Sequence, residues 1–368
     1  MNKKLRVIQF FEHYDDAYQP YIPPVMDALS NENNFDILIY ATKGIQKSKV
    51  KILPSYYLKA LYKRFYLNGL GKSFNYETLF FLKQKPDIIH LQHSFLYTKF
   101  LNLLHLPKSK RPKLVITLRG ADTYLKPWKN KRWRQFYKVY GNKVDAFITV
   151  SEHQKQYLTK WGVDEDRIHV IPVSFGDVSK EIAKKSIGDT VSLVSAHRMT
   201  WEKNIDGNLR TVKVLKDKGV NLMYNIYGDG HDAAQVYYLI DKYKLNDVVK
   251  YHGKIENKQL KIQLQSNDIF LQLSHSESFG LSVVEAQSLG LPAIISNSDG
   301  MPETIIDGET GCCFNPWDAD GAANAIINLK NSVELYRNMS NAAINNANNK
   351  FTYQVEVEKL KKLYKSLL

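Results

Sequence analysis

Residues 268–296 read DIFLQLSHSESFGLSVVEAQSLGLPAIIS. An apolar run gives way near Ser274 to a polar loop, an apolar segment of helical character follows, and Gly290 and Pro292 close it before a second β-rich run. Strand, loop, helix and strand in that order form the repeating unit of a parallel sheet with crossover helices. The amides near Phe279, Gly280 and Leu281 then open a helix N-terminus, which attracts anions, and Gly280 lets the backbone approach a ligand closely. Glu277 and Ser278 stand in the loop, and Glu285 lies about a turn into the helix, with seven residues between the two glutamates. Two carboxylates beside an anion site would repel a phosphate group, so cations have to stand nearby.

Outward from this stretch the same unit recurs along the chain. In the first half, strands are expected at KLRVIQFF, FDILIY, DIIHLQH, KLVITLRG, DAFITVS and RIHVIPV. In the second half they are expected at VSLVSAHR, LMYNIYGDG, VVKYHGKI, DIFLQLS, PAIIS and GCCF. The polar segment 174–190 separates the two sets, and 368 residues suit two domains better than one core. The fold class is therefore α/β, with two doubly wound, Rossmann-like domains facing a central cleft, residues 1–174 and 175–351. Residues 352–368 form an amphipathic helix that either caps the second domain or returns to the first.

The required cations are at hand. SAHRMTWEKNID, residues 195–206, follows the first strand of the second domain and places Arg198 and Lys203 in its strand-to-helix loop. A guanidinium fork and a compact ammonium together suit a diphosphate. NIYGDG adds a tight turn with Gly228 and Gly230 after the next strand, and YHGKI ends the strand after that with Lys254 and Ile255. All these loops open on the edge of the sheet that carries Glu277.

Taken in order, Arg198, Lys203, the Gly228–Asp229–Gly230 turn, the Gly253 step and the Glu277/Glu285 pair resemble the pattern of the retaining glycosyltransferases of family 4, which have the GT-B fold. SDGMPETIIDGETG, residues 298–311, resembles a later segment of that family, and PDIIHLQH, ITLRGADTY and FITVSEHQKQYL resemble its first domain more loosely. Three departures stand out: Arg119 with Gly120 where many members have His-Gly, His197 where a small residue usually precedes the arginine, and no glycine-rich loop after the first strand. The resemblance implies a nucleotide-sugar donor, UDP- or GDP-linked. It implies that Glu285 binds ribose, that Glu277 holds the sugar, and that the amides of Ser278 to Leu281 meet phosphate. Arg198 and Lys203 would neutralise the leaving group, backbone near Lys254 and Ile255 would meet the base, and Arg119 and Asp122 would face the acceptor side. No metal and no cofactor are implied. A nucleotide-sugar epimerase of the same fold remains an alternative reading of the donor motifs.

Composition narrows the partners. The net charge of +14 calls for an acidic partner or surface. Basic residues interleave with aromatic ones at 47–74 and 125–138, a pattern that suits either an anionic membrane surface or helices packed by their aromatics on their own sheet. Nucleic acid is not expected, because no binding motif accompanies the charge, although a basic nucleic-acid-binding protein is the non-enzymatic alternative. The two adjacent cysteines, Cys312 and Cys313, offer no disulfide framework, and no apolar run reaches the ~18 residues of a membrane span. The expected setting is the cytoplasm, with peripheral attachment to the inner membrane face as an option. The family resemblance implies a glycan or lipid-linked acceptor in bacterial surface polysaccharide synthesis, which would suit such a basic face. Asp318, Ala319 and Asp320 spell a metal-binding triplet, but their position after the last strand predicts a helix start instead.

Overall fold

Parallel strands covered on both faces need side chains that are apolar on both faces, and the strand segments of this chain meet that demand. In the computed structural model, which describes residues 4–15, 19–45, 49–54 and 74–368, the chain divides into two compact units. One comprises residues 1–172 together with 356–368, the other residues 173–355.

The first unit holds β1 (Leu5–Tyr14), β2 (Phe35–Gly44), β3 (Val50–Ile52), β4 (Ile88–Leu91), β5 (Lys113–Thr117), β6 (Ala146–Thr149) and β7 (Ile168–Val170). They form one sheet in the order β3-β2-β1-β4-β5-β6-β7, with every paired neighbour parallel. The second unit holds β8 (Val191–Ala196), β9 (Leu222–Tyr227), β10 (Val249–Gly253), β11 (Ile269–Gln272), β12 (Ala293–Ser296) and β13 (Gly311–Phe314), in the order β10-β9-β8-β11-β12-β13. Both are doubly wound, Rossmann-like sheets, as expected from the alternation of runs. Each of the runs read as strands forms one, and the structure adds β3. In both sheets the order reverses beside the first strand, between β1 and β4 and between β8 and β11, and such reversals open a crevice at the carboxyl ends of the strands.

The second sheet is packed on both faces. Val191, Leu193, Leu271 and Ile294 belong to one buried cluster, and Val194, Phe270, Ala293 and Ile295 to the other. Alternate residues of one strand thus serve opposite layers. The 125–138 segment falls in the short helix Lys126–Lys129 and the helix Lys131–Tyr140, where Trp133, Phe136 and Tyr137 are buried in the first unit's core. Its aromatics are therefore largely spent on the fold, while Trp128 keeps 62% exposure. Most of the 47–74 segment, including Lys59, Lys63 and Arg64, lies outside the described residues.

The helix Tyr353–Ser366 buries Val357, Leu360, Leu363 and Tyr364. From Glu356 onward it belongs to the first unit, where Lys361 pairs with Glu32 at 2.9 Å and Tyr364 packs on Phe35. No helix among the described residues is long and apolar enough to cross a membrane.

Candidate active site

The site is built on the loops that leave β8, β9, β10 and β11. After β8 the chain makes a single 3-10 turn, Trp201–Lys203, and then passes through Asn204, whose φ of 49° is left-handed. Asn204 tolerates this conformation because its side chain is fully used. Its oxygen accepts from Gly207 N at 3.0 Å, capping the helix Ile205–Asp217, and its amide donates to the carbonyls of Leu273 and Pro316 at 2.7 and 3.0 Å. One side chain thereby ties the loops after β8, β11 and β13 together. Backbone bonds add to this, since the amides of His275 and Ser276 both donate to the Glu202 carbonyl, at 2.8 and 3.3 Å.

With the loops fixed, Lys203 and Glu277 meet. The Lys203 ammonium donates to Glu277 Oε2, and both side chains are largely buried, at 10% and 14% exposure. The Gln272 amide donates to the same oxygen at 3.2 Å and is held in turn by Ser282, whose hydroxyl donates to Gln272 Oε1 at 3.0 Å. The Lys203–Glu277 pair spans β8 and β11, the two strands that flank the reversal in strand order. Lys203, expected as a free phosphate cation, is thus already engaged by a carboxylate. Of the two cations in this loop, Arg198 is the exposed one, with its guanidinium 3.8 Å from Glu202.

A cavity of about 490 Å³ is walled by the ends of β8, β9 and β10. Arg198, Gly228, Gly230, Lys254 and Ile255 line it; Lys203, Ser278, Phe279, Gly280, Leu281 and the two glutamates do not. The glycines are dictated by contact. At Gly228 (φ 125°) a Cβ would lie 1.8 Å from the His197 carbonyl oxygen, and at Gly230 one would lie 2.3 Å from that of Met199. The β9 turn is thus pressed against the β8 loop, with no room for a side chain.

Gly280, at φ 97°, starts the helix Leu281–Ser288, and the Phe279 ring packs on Phe351 at 5.4 Å rather than into the cavity. This leaves the backbone of the turn, rather than its aromatic side chain, for a ligand. Glu285 is the fifth residue of that helix and is partly exposed in a densely packed setting. Burial pushes its carboxyl up to about 7, with Lys261 opposing. Asp318 accepts from Gly321 N at 2.8 Å as the cap of the helix Ala319–Asn331. Among the described residues, no group of three or more His, Cys, Asp and Glu side chains could hold a metal ion.

Sequence reading gave no role to His197 beyond its unusual identity, yet it lines the cavity. Its Nδ1 faces the Arg198 carbonyl at 3.1 Å, and burial and the Lys203 charge push it down to about 4, so the ring is neutral. Gln272 was missed as well. A glutamine at the end of an otherwise apolar, fully buried strand is the signal that could have found it.

In the first unit, Arg119 leaves the end of β5. Its Nη2 donates to Gln92 Oε1 at 2.9 Å, and its guanidinium lies 5.6 Å from the Tyr21 ring. Asp122 is buried and accepts from the Arg119 and Gly120 amides at 3.2 and 3.1 Å and from the Ser94 hydroxyl at 2.7 Å. Its carboxylate clamps the turn that presents Arg119.

Comparison with known proteins agrees with this architecture. The family described as "Glycosyl transferases group 1" matches residues 177–346, and "Glycosyltransferase Family 4" matches residues 30–173. The chain is 32% identical over 301 residues to the N-acetyl-alpha-D-glucosaminyl L-malate synthase of Bacillus anthracis, covering 78% of this chain and 76% of that one. It is 29% identical over 297 residues to an uncharacterized 41.2 kDa protein in the cps region of Klebsiella pneumoniae, covering 77% and 79%. Among solved structures, HepE of Anabaena in complex with UDP and glucose superposes with a TM-score of 0.74 at 14% identity, covering 98% of this chain and 99% of that one, a likeness of fold. The paired Rossmann-like sheets, the family matches across both halves and the Bacillus relative together make this chain a member of glycosyltransferase family 4, an enzyme of the GT-B fold.

Proposed function

We propose that the enzyme moves a sugar from a UDP- or GDP-linked donor to a glycan or lipid-linked acceptor, with retention of anomeric configuration, in the synthesis of a bacterial surface polysaccharide. The observation that carries this reading is the Lys203–Glu277 pair at the strand-order reversal, in the same sheet whose strand ends wall a cavity lined by Arg198 and Lys254. Support also comes from the bound UDP and glucose of HepE and from the cps-region setting of the Klebsiella relative.

In this reading the donor's diphosphate lies between Arg198 and the amides that open the helix Leu281–Ser288. Its base rests near Lys254 and Ile255, and its ribose hydroxyls donate to Glu285. As the glycosidic bond breaks, negative charge grows on the leaving phosphate, and a fixed cation field stabilises it without reorganisation. Glu277 is held by Lys203 and Gln272 through one oxygen, which suits orienting the sugar rather than attacking it as a free nucleophile. A same-face reaction, in which the acceptor enters beside the departing phosphate, needs no carboxylate nucleophile, unlike the retaining glycosidases.

The net charge of +14 and the exposed Trp128, Lys129, Arg132 and Arg134 support a further reading, that the first unit rests on an anionic membrane bearing a lipid-linked acceptor. Sedimentation with anionic liposomes, weakening as salt rises, tests that part. The donor reading is tested by thermal shift against UDP-glucose, UDP-N-acetylglucosamine and GDP-mannose. A nucleotide-sugar at 100 times its Kd stabilises by ~2.7 kcal/mol, and a flat response to every one of them contradicts the reading.

A further inference from the structure

A chain of buried polar side chains crosses the first unit's sheet from Arg119 to the C-terminal helix. Arg119 Nη2 lies 2.9 Å from Gln92 Oε1, and Gln92 Nε2 lies 2.9 Å from Gln9 Oε1. Gln9 Nε2 lies 2.8 Å from the Tyr364 hydroxyl, which lies 2.7 Å from His90 Nδ1, and His90 Nε2 lies 2.7 Å from Thr117 Oγ1. Gln9, His90 and Tyr364 are wholly buried, and Gln92 and Thr117 nearly so. Polar groups this deep in a sheet are costly unless every one is bonded.

The direction of each bond follows from one end. A guanidinium can only donate, so Gln92 must turn its oxygen to Arg119 and its amide nitrogen to Gln9. Gln9 must then accept through its oxygen and donate to the Tyr364 oxygen. The Tyr364 proton is left for His90 Nδ1, which Gln92 Nε2 also approaches at 3.3 Å as a second donor. His90 therefore carries its proton on Nε2 and gives it to Thr117. This order requires an uncharged imidazole, and burial with the Arg119 charge pushes His90 down to about 3.

We infer that Tyr364, through Gln9 and Gln92, is a positioning residue that fixes the orientation of the Arg119 guanidinium. Through these described bonds the orientation of Arg119 is tied to side chains of the sheet beneath it, and the anchor at the far end belongs to the C-terminal helix. That this serves acceptor binding rests on the function proposed above; the positioning itself does not.

The test therefore reads the guanidinium and not turnover. In the full-length protein with 15N-labelled arginine and histidine, wild-type Arg119 should show resolved Nη signals, because its bonded Nη2 cannot rotate freely. His90 should show the neutral Nε2–H tautomer at pH 6. Tyr364→Phe removes one hydroxyl with little change of shape, and the Arg119 Nη signals should then merge into one averaged line. Gln9→Met cuts the same chain one bond nearer Arg119 and should do the same, which covers the case of a Tyr364→Phe chain that does not fold. Unaltered Arg119 signals in a folded variant, or an Nδ1–H or charged His90 in the wild type, would overturn the inference. Either result leaves the donor reading to stand or fall on its own thermal-shift test.

Discussion

Lys203 donates to Glu277 Oε2 across the boundary between β8 and β11, and Gln272 donates to the same oxygen. In the proposed reading, Oε1 is then the oxygen that meets a sugar hydroxyl. The Lys203 ammonium balances the Glu277 carboxylate, so in the proposed reading the pair can sit beside a diphosphate without the repulsion that a lone carboxylate would produce.

Because the pair is largely buried, removing one partner strands the other. Lys203→Ala should lower stability by ~1–3 kcal/mol, below the ~3–5 kcal/mol of a fully buried pair because some solvent reaches both side chains. Adding Glu277→Gln to that variant should restore part of the loss, since the stranded charge is gone. Urea denaturation of the two single variants and the double variant measures this; strictly additive losses would show that the charges are not coupled.

Glu285 gives a pH signature. Its carboxyl is raised from 4.5 to about 7 by burial, so between those values the folded protein binds more protons than the unfolded chain. Stability from this group is therefore lost as pH rises from 4.5 to 7. Glu285→Gln should be more stable than the wild type above pH 7 and converge with it below pH 4.5, as followed by Tm across pH. If ribose hydroxyls donate to the carboxylate, donor affinity in the wild type should rise as pH passes 7, whereas the Gln variant should be weak and nearly flat.

Gly228→Ala should fail more severely than Gly253→Ala. A methyl at 228 would meet the His197 carbonyl at 1.8 Å, whereas one at 253 meets nothing within 4 Å, although both positions have positive φ. Both variants carry the ~1 kcal/mol class of backbone strain, and only the first must also push the β8 and β9 loops apart. Expected is a loss of nucleotide binding in Gly228→Ala with near-normal binding in Gly253→Ala; calorimetry with UDP compares them.

How far the sequence announced all this varies with the kind of signal. Strands such as β11 and β12 were legible because burial on both faces demands uninterrupted apolar runs with turn residues at their ends. β3 was missed because its three residues, Val50–Ile52, stand in a lysine-rich stretch and offer too few positions for a pattern. The loop residues after β8 to β11 were legible as a group, since they all follow strand ends. Their pairing was not: whether Lys203 faces a phosphate or Glu277 depends on β8 and β11 being neighbours, a fact of sheet order. The Arg119–Tyr364 chain was least visible, joining residues 355 positions apart at Gln9 and Tyr364. The only hint was a glutamine or histidine inside the runs KLRVIQFF and DIIHLQH.

Independence from divalent metal follows from the proposed phosphate site, where Arg198 and the helix-start amides supply the positive field. Donor turnover should persist in EDTA, while Arg198→Ala should lose on the order of 100-fold in kcat/KM, about 2.7 kcal/mol. Complete inhibition by EDTA that added metal reverses would mean the phosphate site has been misassigned.

The most direct measurement is nucleoside diphosphate release from UDP-glucose, UDP-N-acetylglucosamine and GDP-mannose by the wild type and by Glu277→Gln, with binding of each donor measured in parallel. The expected result is release from at least one donor by the wild type, on the order of 100-fold slower release by the variant, and similar donor affinity for both, since the contact acts mainly on the sugar in the transition state. Equal release rates from the two proteins, or no binding of any nucleotide-sugar, would contradict the account.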